Sequence, residues 1–147
     1  MIKILIGDDH TLVRKGLRQI IEEAPDMVVV DEASSGNEVL DKIASGDYDV
    51  VLLDITMPGR DGLDVLKKIK SARPGLAVLM LSMHPEELYA LRALRTGAAG
   101  YLTKESVPDE LIHAIRQVAS GKKYIRPLFA QRLTQKADVS RRNNIPS

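Results

Sequence analysis

Five short apolar runs, Ile2–Gly7, Met27–Ala33, Val50–Asp54, Ala77–Ser82 and Gly100–Thr103, alternate along this chain with five stretches whose apolar residues recur at helical spacing. Runs that are apolar at consecutive positions belong to strands covered on both faces, as in a parallel sheet. Between them, Leu12, Val13, Leu17, Ile20 and Ile21 form one helical stripe, and Val39, Leu40 and Ile43 a second. Leu63, Leu66 and Ile69 make the third, Leu88, Leu91 and Leu94 the fourth, and Leu111, Ile112, Ile115 and Val118 the fifth. Gly36, Gly46, Pro74-Gly75, Gly97 and Gly121 punctuate the boundaries. Strand–helix alternation demands right-handed crossovers with helices on both faces of the sheet, so the expected fold is a three-layer α/β sandwich. The second run ends in Asp31 and Glu32 and reads as an edge strand.

At 147 residues the chain has room for one domain and a short appendage. It contains no cysteine, which excludes a disulfide framework, a thiolate metal site and a cysteine nucleophile. The apolar start is too short for a signal peptide, and no run approaches the ~18 residues of a membrane span. The expected location is the cytoplasm, without membrane contact. Charge divides the chain: residues 1–121 hold 14 basic and 19 acidic residues, a balance of −5, whereas 122–147 hold 7 basic and one acidic, a balance of +6. The step marks the expected domain edge, with a body over 1–121 and a basic linker over 122–147, helical over 127–137. An acidic body with 3% aromatic residues is a poor nucleic-acid surface and offers no stacking platform.

In open α/β sheets, ligands gather beyond the carboxyl ends of the strands. The first run is followed by Asp8-Asp9, the third ends in Asp54, the fourth in Ser82, and the fifth is followed by Lys104. Three carboxylates, a hydroxyl and an ammonium would share one crevice. Two like charges ~4 Å apart cost about 4 kcal/mol at an effective dielectric near 20, so such a cluster calls for a cation, a proton or the lysine. All-oxygen donors suit Mg²⁺, which keeps several waters and accepts phosphate oxygens. The carbonyl of Thr56, two residues past Asp54, is placed to complete the shell. A carboxylate is also a nucleophile toward phosphorus, and the metal, Lys104 and Ser82 would serve phosphoryl transfer onto Asp54.

The segments ILIGDDH (4–10), VVLLDITMPGRDG (50–62), LMLSMH (79–84) and GAAGYLTKES (97–106) together resemble a bacterial two-component response-regulator receiver domain. The resemblance runs from residue 2 to about 121 and implies a flavodoxin-like (βα)5 sandwich with strand order 2-1-3-4-5. It implies Asp54 as the phosphoacceptor, Asp9 as a direct Mg²⁺ ligand, Asp8 as a ligand through water and Thr56 as the carbonyl ligand. Ser82 matches the switch hydroxyl, Tyr101 the switch aromatic that rotates inward, and Lys104 the family lysine. The implied phosphoryl donor is a sensor histidine kinase, and the implied response is homodimerisation. The DDH and GAAGYLTK wording and the tail GKKYIRPLFAQRL resemble the branch carrying a LuxR-type helix-turn-helix (NarL/FixJ-like). No second core follows here, so DNA binding is expected only through an output domain absent from this chain. A stand-alone receiver acting by protein docking is the alternative.

The sequence also departs from the family pattern. Glu105 stands where many receivers have proline, which leaves the Lys104–Glu105 peptide geometry open. Met83 follows the switch hydroxyl, where a smaller residue is common, and is expected to slow hydrolysis. His10 adjoins the acids and is expected to open the first helix rather than bind magnesium. A haloacid-dehalogenase-type phosphatase would need a second acid where Thr56 stands. A flavin or nucleotide carrier would find Asp8-Asp9 repelling its phosphate. The chain is therefore read as a phosphorylation switch, not an enzyme of turnover.

Overall fold

The computed structural model describes residues 1–57, 60–82 and 87–125; Met83, His84 and the expected helix over 127–137 lie outside them. The elements run β1 (Ile2–Gly7), α1 (Thr11–Glu22), β2 (Met27–Ala33), α2 (Gly36–Ser45) and β3 (Val50–Asp54). They continue with α3 (Gly62–Ala72), β4 (Ala77–Ser82), α4 (Glu87–Thr96), β5 (Gly100–Thr103) and α5 (Val107–Ala119). All five expected strands occur, paired in parallel in the order β2-β1-β3-β4-β5. The strand ending in Asp31-Glu32-Ala33 lies at the edge, where Val28 and Val30 remain 36% and 49% exposed.

Burial explains the apolar runs. Every residue of the central strand β3 is buried. Its odd-numbered side chains, Val51 and Leu53, join Leu5, Val78 and Met80 beneath α2, α3 and α4. Val50 and Leu52 join Ile4, Ile6, Leu79 and Leu81 beneath α1 and α5. Two apolar layers thus clamp the sheet, and each buried aliphatic side chain contributes about 1.5–3 kcal/mol.

Local signals place the helix starts near the strand ends. Ser35 caps α2 by accepting from the Glu38 amide at 3.2 Å, and Asp61 caps α3 by accepting from Leu63 N at 3.0 Å. A short ribbon pairs Thr56–Met57 antiparallel with Arg60–Asp61. The ribbon is closed at its base, where Gly62 N donates to Ile55 O at 3.1 Å. A Cβ at Gly62 would lie 2.6 Å from that carbonyl oxygen, so the turn back into α3 needs glycine.

Beyond α5 the chain returns to the free edge of β5. Tyr124 N donates to Ala99 O at 2.8 Å and bridges Gly100, and its hydroxyl lies 2.6 Å from Glu110 Oε1. A Cβ at Gly100 would lie 2.7 Å from Tyr124 O, so the strap sits where only glycine leaves room.

Candidate functional site

Parallel pairing brings the carboxyl ends of β1, β3, β4 and β5 to one end of the sheet, and the side chains that follow them converge. The chain leaves β1 through Asp8, whose amide still pairs with Ala33 O at 3.0 Å. That pairing turns the Asp8 carboxylate inward, where the residue is fully buried. Its Oδ1 accepts the His10 amide at 2.9 Å, and its Oδ2 lies 3.0 Å from Lys104 Nζ. Asp54, the last residue of β3, is 1% exposed, with Oδ2 3.5 Å from the same ammonium. Asp9 is a quarter exposed at the rim and has its Oδ1 3.0 Å from the His10 ring nitrogen. One oxygen from each of the three aspartates and a ring nitrogen of His10 all fall within 4.8 Å of one another.

The charge count decides what this pocket can hold. Among the described residues three carboxylates face the Lys104 ammonium, which is itself only 13% exposed. Burial of like charges at this spacing is costly unless a cation joins them. Asp9 Oδ1, buried as an atom, accepts no hydrogen bond among the described residues. Hard oxygen donors gathered this closely fit a divalent metal ion.

The remaining expected residues stand around this centre. Ser82 ends β4 beside Asp54, since Asp54 pairs with Leu81, and Ile55 N donates to Leu81 O at 3.1 Å. Thr56 opens the ribbon directly after the centre. Lys104 begins a single 3-10 turn, Lys104–Ser106, that Ser106 closes by donating to Thr103 O at 2.8 Å. The Lys104–Glu105 peptide is trans, so the glutamate in place of proline is accommodated by this turn. Tyr101 is turned in, 7% exposed, against the core layer beneath α3 and α4. His10 is the residue that opens α1, with its ring 61% exposed.

Two residues that sequence reasoning passed over hold the rim in place. Arg14 donates to Asp8 O at 2.6 Å and reaches Glu32 Oε1 at 3.3 Å, while Arg18 Nη2 lies 2.7 Å from Glu32 Oε2. Glu32 at the end of the edge strand thus enters the site indirectly, through two arginines of α1.

The family model described as the response regulator receiver domain matches residues 4–116. The chain belongs to the response-regulator receiver family. UvrY, a response regulator of Escherichia coli K12, is 41% identical over 133 residues, covering 90% of this chain and 61% of UvrY. GacA, a response regulator of Pseudomonas syringae pv. syringae, is 40% identical over 146 residues, covering 99% of this chain and 68% of GacA. Among solved structures, a LuxR-family two-component response regulator from Aurantimonas sp. SI85-9A1 superposes with a TM-score of 0.85 at 34% identity, covering 92% of this chain and 96% of that one. The isolated receiver domain of RcsB from Salmonella enterica serovar Typhimurium, in the presence of the phosphomimetic BeF3⁻, gives 0.81 at 26% identity, covering 88% and 96%.

This receiver therefore spans about 61% of the length of its relative UvrY. Among its described residues no helix is long and apolar enough to cross a membrane. Asp8, Asp9, Asp54 and Lys104 come from three of the segments that carried the resemblance and meet at this site.

Proposed function

We propose that this receiver is a phosphorylation switch that takes a phosphoryl group onto Asp54 from a sensor histidine kinase. The single observation that carries this is the buried Asp54 carboxylate, within reach of Lys104 and of two further acids able to share a divalent cation with it. In this reading Asp9 and Asp54 bind Mg²⁺ directly, Asp8 binds it through water, and the Thr56 carbonyl completes the shell. The metal, when bound, neutralises charge that develops on the transferring phosphoryl oxygens. An Asp54 oxygen attacks phosphorus, forming the O–P bond as the bond to the donor imidazole breaks; that nitrogen keeps the electron pair and takes a proton from solvent. Lys104, freed from Asp8 and Asp54, pairs with a phosphoryl oxygen, and the Ser82 hydroxyl donates to another. Arg14, through the Asp8 carbonyl, keeps the rim fixed while this happens.

Tyr101, on β5 three residues before Lys104, is the aromatic whose rotamer reports the state of the site. Phosphorylation biases an existing equilibrium, and the proposed readout is homodimerisation. The coverage of UvrY and GacA supports residues 1–121 as the receiver and 122–147 as the start of a linker to a DNA-binding output domain, with transcription control in the cytoplasm. That RcsB dimers are known bound to DNA is in keeping with this output.

Intact mass after incubation with acetyl phosphate and Mg²⁺ tests the proposal. The expected result is a gain of one phosphoryl group in the wild type, lost without metal and in Asp54→Asn. A gain that persists in Asp54→Asn would overturn the assignment.

A further inference from the structure

Lys70 is held differently from the ion-paired lysines of this chain. Lys3, Lys42, Lys68 and Lys104 each have a carboxylate oxygen 2.8–3.8 Å away, which favours the charged ammonium. Lys70, in the last turn of α3, instead donates to two backbone carbonyls, Pro74 O at 2.7 Å and Leu76 O at 2.9 Å. Its stem is clamped against Gly97, where φ is +116° and a Cβ would stand 3.2 Å from Lys70 Cγ. A neutral amine has two N–H bonds and an ammonium three. Two carbonyls therefore satisfy the neutral form in full and leave its lone pair unshared. Burial, and then the Lys123 ammonium, push Lys70 below its ordinary value, in the same direction.

Lys70 is half-buried and borders a cleft of about 200 Å³ at the amino end of the sheet. Gly75, Gly97 and Ala99 line the cleft with little side chain, Lys122 and Lys123 add two further cations, and no described acidic residue is among its walls. Pockets for drug-sized ligands run to roughly 300–1,000 Å³, so this one admits only a compact molecule, and its charge favours an anion. An amine that is desolvated or set beside another cation is an activated nucleophile. Acyl phosphates are compact anions with two electrophilic atoms: a carboxylate takes the phosphorus, an amine the carbonyl carbon. We propose that Lys70 is an acylation site, and that small acyl phosphates reach it through the cleft it shares with Lys122 and Lys123. The neutral Nζ attacks the carbonyl carbon; the N–C bond forms and the C–O bond to phosphate breaks. Phosphate leaves with the electron pair, and the proton lost by the nitrogen passes to solvent. Lys122 and Lys123 offset the charge of the departing phosphate. The amide so formed carries no charge and one N–H in place of two, so it no longer serves both Pro74 O and Leu76 O.

The test is incubation of the full chain with acetyl phosphate in EDTA, followed by peptide mass spectrometry that resolves the rate of acetylation at each lysine. Lys67 and Lys68 are the internal standards, because they are exposed and lie on the same helix. Lys70 should be acetylated faster than either, although it is the least exposed of the three. Lys123→Gln should slow Lys70 by roughly two- to fivefold, the scale of one solvent-screened charge interaction, and leave Lys67 unchanged. Lys122→Gln should slow Lys70 toward acetyl phosphate but not toward acetic anhydride, which is uncharged. Acetylation of Lys70 no faster than that of Lys67 and Lys68, or an unchanged rate in Lys123→Gln, would overturn the inference. Equal slowing of both reagents by Lys122→Gln would overturn it as well, since the cleft would then not be selecting an anion.

Discussion

The two ends of the sheet handle buried charge in opposite ways. At the amino end, cations are spent on backbone carbonyls: Lys70 Nζ donates to Pro74 O at 2.7 Å and Leu76 O at 2.9 Å, Lys123 Nζ to Ala98 O at 3.1 Å, and Arg73 to Ile43 O at 2.8 Å. These carbonyls lie at helix ends or in the turns that follow, where a positive charge is favoured. Burial, with Lys123 nearby, pushes the Lys70 ammonium below its ordinary value, and the lysine remains held by its two carbonyls. At the carboxyl end three aspartates converge on one lysine, and the cluster keeps an excess of negative charge. One end is saturated and stabilises the fold; the other, on the reading proposed above, is completed by a cation.

Removing the shared cation at the incomplete end should have the largest effect. Lys104→Met takes from Asp8 and Asp54 the ammonium they share, and should lower stability by up to about 3 kcal/mol in urea unfolding without divalent ions. Added Mg²⁺ should recover most of that loss. A metal-independent loss would break the contrast between the two ends.

Gly100→Ala, at the edge strand, should cost about 1–3 kcal/mol, because the new Cβ meets the Tyr124 backbone oxygen at 2.7 Å as well as the buried Leu79 Cδ1 at 2.9 Å. Amide exchange at Tyr124 should accelerate in parallel, and unchanged protection there would show that the strap does not depend on that close approach. At the saturated end, Arg73→Met removes a single charged donor from Ile43 O and should cost about 1 kcal/mol. Its unfolding midpoint should fall by the same amount with and without Mg²⁺, whereas a metal-sensitive loss would mean that the ends are not independent.

The smallest effect concerns pH. The Lys42 ammonium, 2.8 Å from Asp31, holds that carboxyl below the usual aspartate range. A depressed folded-state value contributes stability that is present above the unfolded carboxyl's pKa and lost as pH falls through the folded one. Lys42→Met should therefore lower stability slightly at neutral pH, the effect being small because the pair is solvent-screened, and flatten the acid limb below about pH 4, where variant and wild type converge. Superimposable acid limbs would remove Asp31 from the account.

How far the sequence revealed this arrangement follows from the range of each interaction. The five strands were legible because two-sided burial writes itself as consecutive apolar residues, and Asp31-Glu32 marked the edge strand because an edge tolerates charge. Asp8, Asp9, Asp54 and Lys104 were legible because parallel strands bring their carboxyl ends together whatever the details of packing. Arg14 and Glu32 were not, since their pairing spans the α1–β2 connection and either residue alone reads as a surface charge. The ribbon of Thr56–Met57 with Arg60–Asp61 is too short to carry a period. The Tyr124 strap was hidden because nothing near residue 124 says that the chain turns back to Gly100; the pointer was the glycine itself.

The central claim, that the carboxyl end of the sheet is built incomplete so that a cation can finish it, is tested most directly by urea unfolding with and without Mg²⁺ for the wild type and Asp9→Asn. Ligand binding to the folded state should raise wild-type stability by about 2.7 kcal/mol at a hundredfold excess over the dissociation constant, and Asp9→Asn should lose most of that gain while folding normally. A wild type indifferent to Mg²⁺, or an equal gain in Asp9→Asn, would contradict it.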